Sequence, residues 1–322
     1  MVQNSWPSLY LVPLSGHNNQ MFFMILHVVC NAAWAMMARQ LRTSEPVFSY
    51  VVSLAYMTSF FISLLAMQGS KFDWEWQVVL FGMINGIQLQ LAMFSLYYLI
   101  EMGGMAIAFT VVRLSIVIPT VGSILIWGDA PNAVQMLGIL LILISIPLIG
   151  RDVTKAGNTL GMSYSRVIMI GTIVLVGIGS LAGKSFSNMK VYSDTSEYLV
   201  LLLFGASLTG LLTWPFMAKL SFTSHKLALN PRALRCFFTD TRQGVMPIWA
   251  YVLVMGSLQY VHNLGLMEAL DLVSGAILFP LIAATYLLII TLADWLIWKK
   301  RFGKHAAIGM LVAAAGIVAV NF

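Results

Sequence analysis

Ten runs of mostly apolar residues dominate this chain of 322 residues, each close to the roughly 20 that carry a helix across a hydrocarbon core. They fall at 20–38, 46–68, 76–100, 104–127, 133–150, 166–189, 197–218, 244–267, 272–298 and 304–321. Only 9% of the residues are charged, against about a quarter in soluble domains. The predicted fold class is therefore an all-α integral membrane protein of ten transmembrane helices. Residues 1–19 read as an extramembrane tail: they hold no Lys or Arg and are broken by Pro7, Pro13 and Gly16, unlike a secretory signal. The long connection 219–243 holds five Lys/Arg residues, and Asn230-Pro231 reads there as the start of a short helix on the lipid surface.

The basic residues orient the spans. Fourteen of the 18 Lys/Arg residues, among them Arg39, Arg42, Arg151, Lys155 and Lys299 to Arg301, fall in loops on one side. The other side holds only Lys71 and Lys190, and Arg113 and Lys184 lie within spans. The positive-inside rule then places both termini away from the cytoplasm, with a bacterial inner membrane as the expected location. The net charge of +6 sits in short clusters, which is how cytoplasmic loops look and not how a nucleic-acid groove looks. Two cysteines, Cys30 and Cys236, give neither a disulfide framework nor a metal motif. No cofactor and no metal are expected.

The two halves resemble each other. SILIW (123–127), a polar turn and MLGILLILI correspond to DWLIW (294–298), KKRFGKH and AIGMLVAAA. Ahead of these, LIEMGGMAIAF (99–109) lines up with ALDLVSGAILF (269–279), and SEPV (44–47) with SEYL (196–199). A unit of five spans is odd in number, so its second copy enters from the opposite face. The expected organisation is two five-helix inverted-topology repeats, 20–150 and 166–322, joined by a linker at 151–165, with a site near the midplane between them. These patterns resemble the drug/metabolite transporter superfamily, and within it the ten-span EamA-like branch of metabolite and amino-acid exporters. That family often has a glutamate in the turn after span 4; Asp129 stands there in the first half and Lys300 in the second. The resemblance implies export and a central cavity lined by spans 1, 3, 4, 6, 8 and 9. Many members keep both termini in the cytoplasm, opposite to the charge count here.

The residues independently concentrate polar groups in the same spans. Span 1 carries His27, Asn31 and Trp34; span 3, Asn85 and Gln88; span 4, Arg113; span 6, Lys184; span 8, Gln259, Tyr260, His262 and Asn263; span 9, Tyr286 and Asp294. Arg113 lies about 14 Å into its span, near the midplane. An arginine there costs about 2.5–3.5 kcal/mol on insertion scales, so it marks a substrate path or a packing role. Its planar fork of donors suits carboxylate or phosphate. Asn31, Trp34, Asn85, Gln88, Gln259, Tyr260, Asn263 and Tyr286 are the other candidate binding residues, with helix-to-helix hydrogen bonding or packing as their alternative role. His27, Lys184, His262 and Asp294 are candidates for coupling or gating, although Lys184 can snorkel and Asp294 can pair with the cluster at 299–301. Pro119 and Pro280 remove backbone hydrogen bonds and can bend spans 4 and 9.

The expected function is secondary transport of a small anionic or zwitterionic metabolite, such as an amino acid, by alternating access. Its partners are that small molecule, the lipid bilayer and, as a candidate coupling ion, the proton, in a monomer or homodimer that binds no nucleic acid. Efflux of lipophilic cations is the alternative, but the first span holds no acid and the deep charge is positive. A receptor or scaffold is a further alternative. No HExxH, GxSxG or Walker loop is present, so an enzyme is not expected.

Overall fold

The structure, a computed structural model, describes residues 16–40, 45–67, 75–151, 162–189, 195–220, 247–297, 299 and 303–320. Ten helices follow one another: α1 (Gly16–Gln40), α2 (Glu45–Ala66), α3 (Trp76–Leu114), α4 (Val117–Trp127), α5 (Ala133–Arg151), α6 (Met162–Met189), α7 (Thr195–Leu220), α8 (Ile248–Leu272), α9 (Gly275–Leu296) and α10 (Lys304–Val320). Helix α1 begins inside the expected tail, at Gly16, and α7 runs on to Leu220, into the expected loop. The rest of that loop, with Asn230-Pro231, lies outside the described residues, as do the rest of the tail, residues 152–161 of the linker, and Lys300.

Among the described residues, five stretches are long and apolar enough to cross a membrane: Met21–Ala38, Trp76–Leu96, Val167–Met189, Thr195–Thr213 and Gly275–Ala293. Shorter apolar stretches occupy Tyr50–Ala66, Val111–Trp127, Ala133–Leu148 and Ala307–Val320. Helix α8 joins neither group, because Gln259, Tyr260, His262 and Asn263 lower its mean hydropathy. Large side chains such as Leu125, Ile126, Leu212 and Leu311 point outward. In water such a surface would drive association, whereas in hydrocarbon it costs nothing.

The region between spans 3 and 4 differs from the sequence expectation. Helical hydrogen bonding continues through residues 100–104, and the break comes at Ser115 and Ile116. Pro119 explains its position: it has no N–H to give to the Ser115 carbonyl, and its ring crowds that oxygen. The chain tightens there, Ile116 N–H bonding to Arg113 O at 3.2 Å and Ile118 N–H to Ser115 O at 3.1 Å. A straight α3 would hold Asn85 and Arg113 about 42 Å apart. Neighbours on α6 show instead that the path reverses. Going up α6, Gly177 and Leu181 meet Ile118 and Gly122, in ascending order, while Gly179 and Gly183 meet Gln88 and Asn85, in descending order. The segments holding Asn85 and Ile118 therefore run antiparallel, as two spans would. Pro280 breaks nothing, since α9 continues past it to Leu296.

The largest contacts between helices map onto themselves when the halves are exchanged, although α5–α9, α9–α10, α3–α5 and α6–α8 have no such counterpart among the described residues. Helix α1 packs on α8 as α6 packs on α3; α2 packs on α8 as α7 packs on α3; and α1 packs on α9 as α6 packs on α4. Three further pairs, α2–α7, α4–α9 and α5–α10, join equivalent helices. Directions follow from individual contacts. Gly265 meets Phe23 and His27 while His262 meets His27, so α1 and α8 are antiparallel. Gly183 approaches Met267 and Ser187 bonds Asp271, so α6 and α8 are parallel. Hence α1 and α6 run in opposite directions.

Glycines set the closest approaches. A Cβ at Gly86 would strike the Leu202 carbonyl, and one at Gly138 would lie 2.9 Å from the Gly316 carbonyl. Backbone-to-backbone contact of this kind is how helices gain packing where no water is expelled between them. With Gly82 and Gly86 turned to α7, the other face of α3, carrying Asn85 and Gln88, is left for the interior.

Candidate functional site

A cavity of about 200 Å³ opens between the halves, room for far more than one water. Its wall comes from α1, α3, the segment around the α3–α4 break, and α6, α8 and α9, with Leu202 of α7 at one point. Helical spacing explains the lining. On α1, His27, Asn31 and Trp34 stand at i, i+4 and i+7; on α8, Gln259, Asn263, Leu266 and Leu270 do the same. Of the residues singled out from sequence, His27, Asn31, Trp34, Asn85, Gln88, Arg113, Gln259, His262, Asn263 and Tyr286 all line this one space.

The others do not. Tyr260 is one residue from Gln259, about 100° around the helix, and packs against the core. Lys184, 5% exposed, lies beside Gly275 at the start of α9, past the end of the cavity. Asp294 is in the last turn of α9, about 12 Å along the helix from Tyr286. Pro119 and Pro280 are buried in α4 and α9 outside the lining.

Among the described residues Arg113 is the one formal charge of the cavity lining, which otherwise holds no Asp, Glu or Lys. Its guanidinium carbon lies 3.4 Å from the centre of the Tyr286 ring, a cation–π stack contributing about 0.5–2 kcal/mol. Stacking occupies one face of the fork and leaves its N–H edge, where carboxylates bind. Arg113 also ends α3, where helix carbonyls favour a cation. Its Nε is buried without a hydrogen-bond partner, as is Nε1 of Trp34 across the cavity.

The histidines form a tie between α1 and α8. Nδ1 of His27 is 2.8 Å from the His262 carbonyl oxygen; a carbonyl only accepts, so this nitrogen bears the proton. Nδ1 of His262 stands 3.4 Å from the same nitrogen. The rings meet edge to face at 5.1 Å.

The amides are partly anchored. Asn85 donates to the Tyr198 hydroxyl, and Tyr198 is held by stacking on Phe186 at 4.1 Å. Asn263 donates to the Gln259 backbone carbonyl at 2.8 Å. Gln88 lies flat on Gly179, whose missing Cβ makes the space. Gly179, Ser180 and Gly183 line the cavity without having been singled out from sequence; the spacing of Gly179 and Gly183, four apart, was their signal.

One polar contact joins the halves at the start of α9. Asp129 accepts the Ala276 N–H at 3.1 Å, supplying the first turn of α9 with a cap that Ser274 does not give. Nearby, Ser187 donates to Asp271 at 2.8 Å.

Residues 19–151 match the EamA-like transporter family. That family belongs to the drug/metabolite transporter superfamily, so the resemblance read from the sequence holds. Over those residues the chain is similar to a family of membrane transporters, and its apolar helices fit a multi-pass membrane protein. No curated protein matches the chain. Among solved structures, a crystal structure titled only as that of a protein is similar in fold, with a TM-score of 0.71 and 14% identity, over 95% of this chain and 98% of its own.

Proposed function

We propose that this protein is a secondary transporter of a small anionic or zwitterionic metabolite, working by alternating access in a bacterial inner membrane, with export the direction the family habit favours. The observation that carries the reading is Arg113: among the described residues the one charge of an interior cavity, stacked on Tyr286, with no described acid in the lining beside it. The opposed directions of α1 and α6 and the exchange pattern of contacts support ten spans in an inverted repeat, the plan that places a site at the centre and lets the halves rock. Asn31, Trp34, Asn85, Gln88, Gln259, Asn263 and Tyr286 surround the substrate, and His27–His262 holds α1 to α8 as the bundle moves. Lipophilic cations fit poorly, because the cavity offers them a like charge and no acid.

Thermal unfolding of the purified protein in detergent, against carboxylates and lipophilic cations, tests this. A ligand of the native state adds about 2.7 kcal/mol at a hundred times its Kd. Stabilisation by carboxylates, lost in Arg113→Gln, is expected. Stabilisation by cations that survives the substitution would overturn the reading.

A further inference from the structure

We infer that the occupant of the cavity is a net organic anion bearing neutral hydroxyl donors, of the hydroxycarboxylate class, rather than a zwitterion or a cation. This rests on the transport reading above and narrows it.

Fixed donors come first. Arg113 presents its N–H edge, with Nε buried and without a partner, and Trp34, 4% exposed, holds an indole N–H with no partner. A buried donor without an acceptor is costly, so the occupant must bring acceptors to meet them. One carboxylate satisfies the guanidinium fork with its two oxygens, and further oxygens serve the other donors.

Acceptors decide the rest. Asn263 spends one of its two N–H groups on the Gln259 backbone and Asn85 one on Tyr198, so each keeps an amide oxygen to receive and one N–H to give. These are neutral oxygens, suited to a hydroxyl. An α-ammonium would lose its water with no acid among the described lining residues to replace it, and would share a small cavity with Arg113. Charge therefore separates hydroxy acids from their amino-acid counterparts, although the two are nearly the same size.

The test uses matched pairs that differ only at that group: lactate and alanine, 2-hydroxy-4-methylpentanoate and leucine, phenyllactate and phenylalanine. Each is titrated against the full-length protein in detergent, with the thermal midpoint and tryptophan fluorescence as readouts and tetraphenylphosphonium as the cation arm. In at least one pair the hydroxy acid is expected to bind 10-fold or more tighter than the amino acid. Trp34→Phe is expected to weaken it 3- to 10-fold with the midpoint of the empty protein little changed, and Arg113→Gln to abolish it. Amino acids binding as well as their partners would overturn the inference and leave carboxylate transport standing. Tetraphenylphosphonium binding with no acid bound would overturn both. Silence from every pair would overturn the inference alone, since transport is read separately by flux.

Discussion

Gly86→Ala adds one methyl group where two helix backbones touch. The new Cβ would strike the Leu202 carbonyl and stand 2.8 Å from Ala206 N and 3.0 Å from Gly205 Cα. All three neighbours are backbone, so no rotamer change relieves the overlap and α3 must move off α7. Overpacking of this kind costs about 1–3 kcal/mol. Replacing a helical glycine by alanine returns about 0.8–1 kcal/mol; with only backbone to yield, the overpacking cost falls in the upper part of its range, about 2–3 kcal/mol, so the expected net loss is about 1–2 kcal/mol. Gly171→Ala is the internal control: on α6, nothing lies within 4 Å of its added Cβ, and only the gain of up to about 1 kcal/mol remains. At about 2 °C per kcal/mol, the first variant should melt about 2–4 °C below the wild type and the second up to about 2 °C above it. Thermal unfolding in one detergent, followed by tryptophan fluorescence, reads both. Equal midpoints for the two variants would refute the α3–α7 contact and the placement of Asn85 and Gln88 that depends on it.

Three further outcomes are expected. Gly179→Ala drives its Cβ into the Gln88 amide, a flexible group that can yield only into the cavity, so substrate affinity should fall about 10-fold, or about 1.4 kcal/mol, with the melting midpoint held within a few degrees; ligand titration checks this. Asp129→Ala removes the α9 cap and should cost about 0.5–2 kcal/mol, much of it recovered by Asp129→Ser, as thermal midpoints will show; equal midpoints for all three proteins would dismiss the cap. His27→Leu severs the tie to the His262 carbonyl and should destabilise by about 1–3 kcal/mol, whereas His262→Leu, which leaves that carbonyl bond in place, should cost less; the reverse order would contradict the tautomer assignment.

Much of the cavity was legible because a membrane makes polarity informative. In a soluble core Asn85, Gln88 and Gln259 would be three amides among many; here they stand out against long apolar runs and fall on helix faces that helical spacing alone can align. Tyr260 was misplaced because adjacency in sequence says nothing of the 100° turn between neighbours. Lys184 followed the same rule, lying one position from the lining residue Gly183. The break at Ser115 and Ile116 was harder to read. Gly103 and Gly104 look like the natural interruption, yet the missing N–H of Pro119 acts four residues upstream and sets the break beside Arg113. Asp129 as a cap for α9 was hidden for a different reason. Its partner, Ala276, is 147 residues away, and only the folded meeting of the halves brings a carboxylate to that helix end.

Flux is the most direct test of the central claim, that Arg113 anchors an anion in a transport cavity. Protein reconstituted in liposomes preloaded with an unlabelled organic acid is exposed to trace labelled acid outside, and counterflow is followed for wild type, Arg113→Gln and Arg113→Lys. Accumulation by the wild type, lost in Arg113→Gln and partly kept in Arg113→Lys at higher substrate concentration, is the expected result. Undiminished counterflow in a folded Arg113→Gln would contradict it and reduce Arg113 to a helix-packing residue.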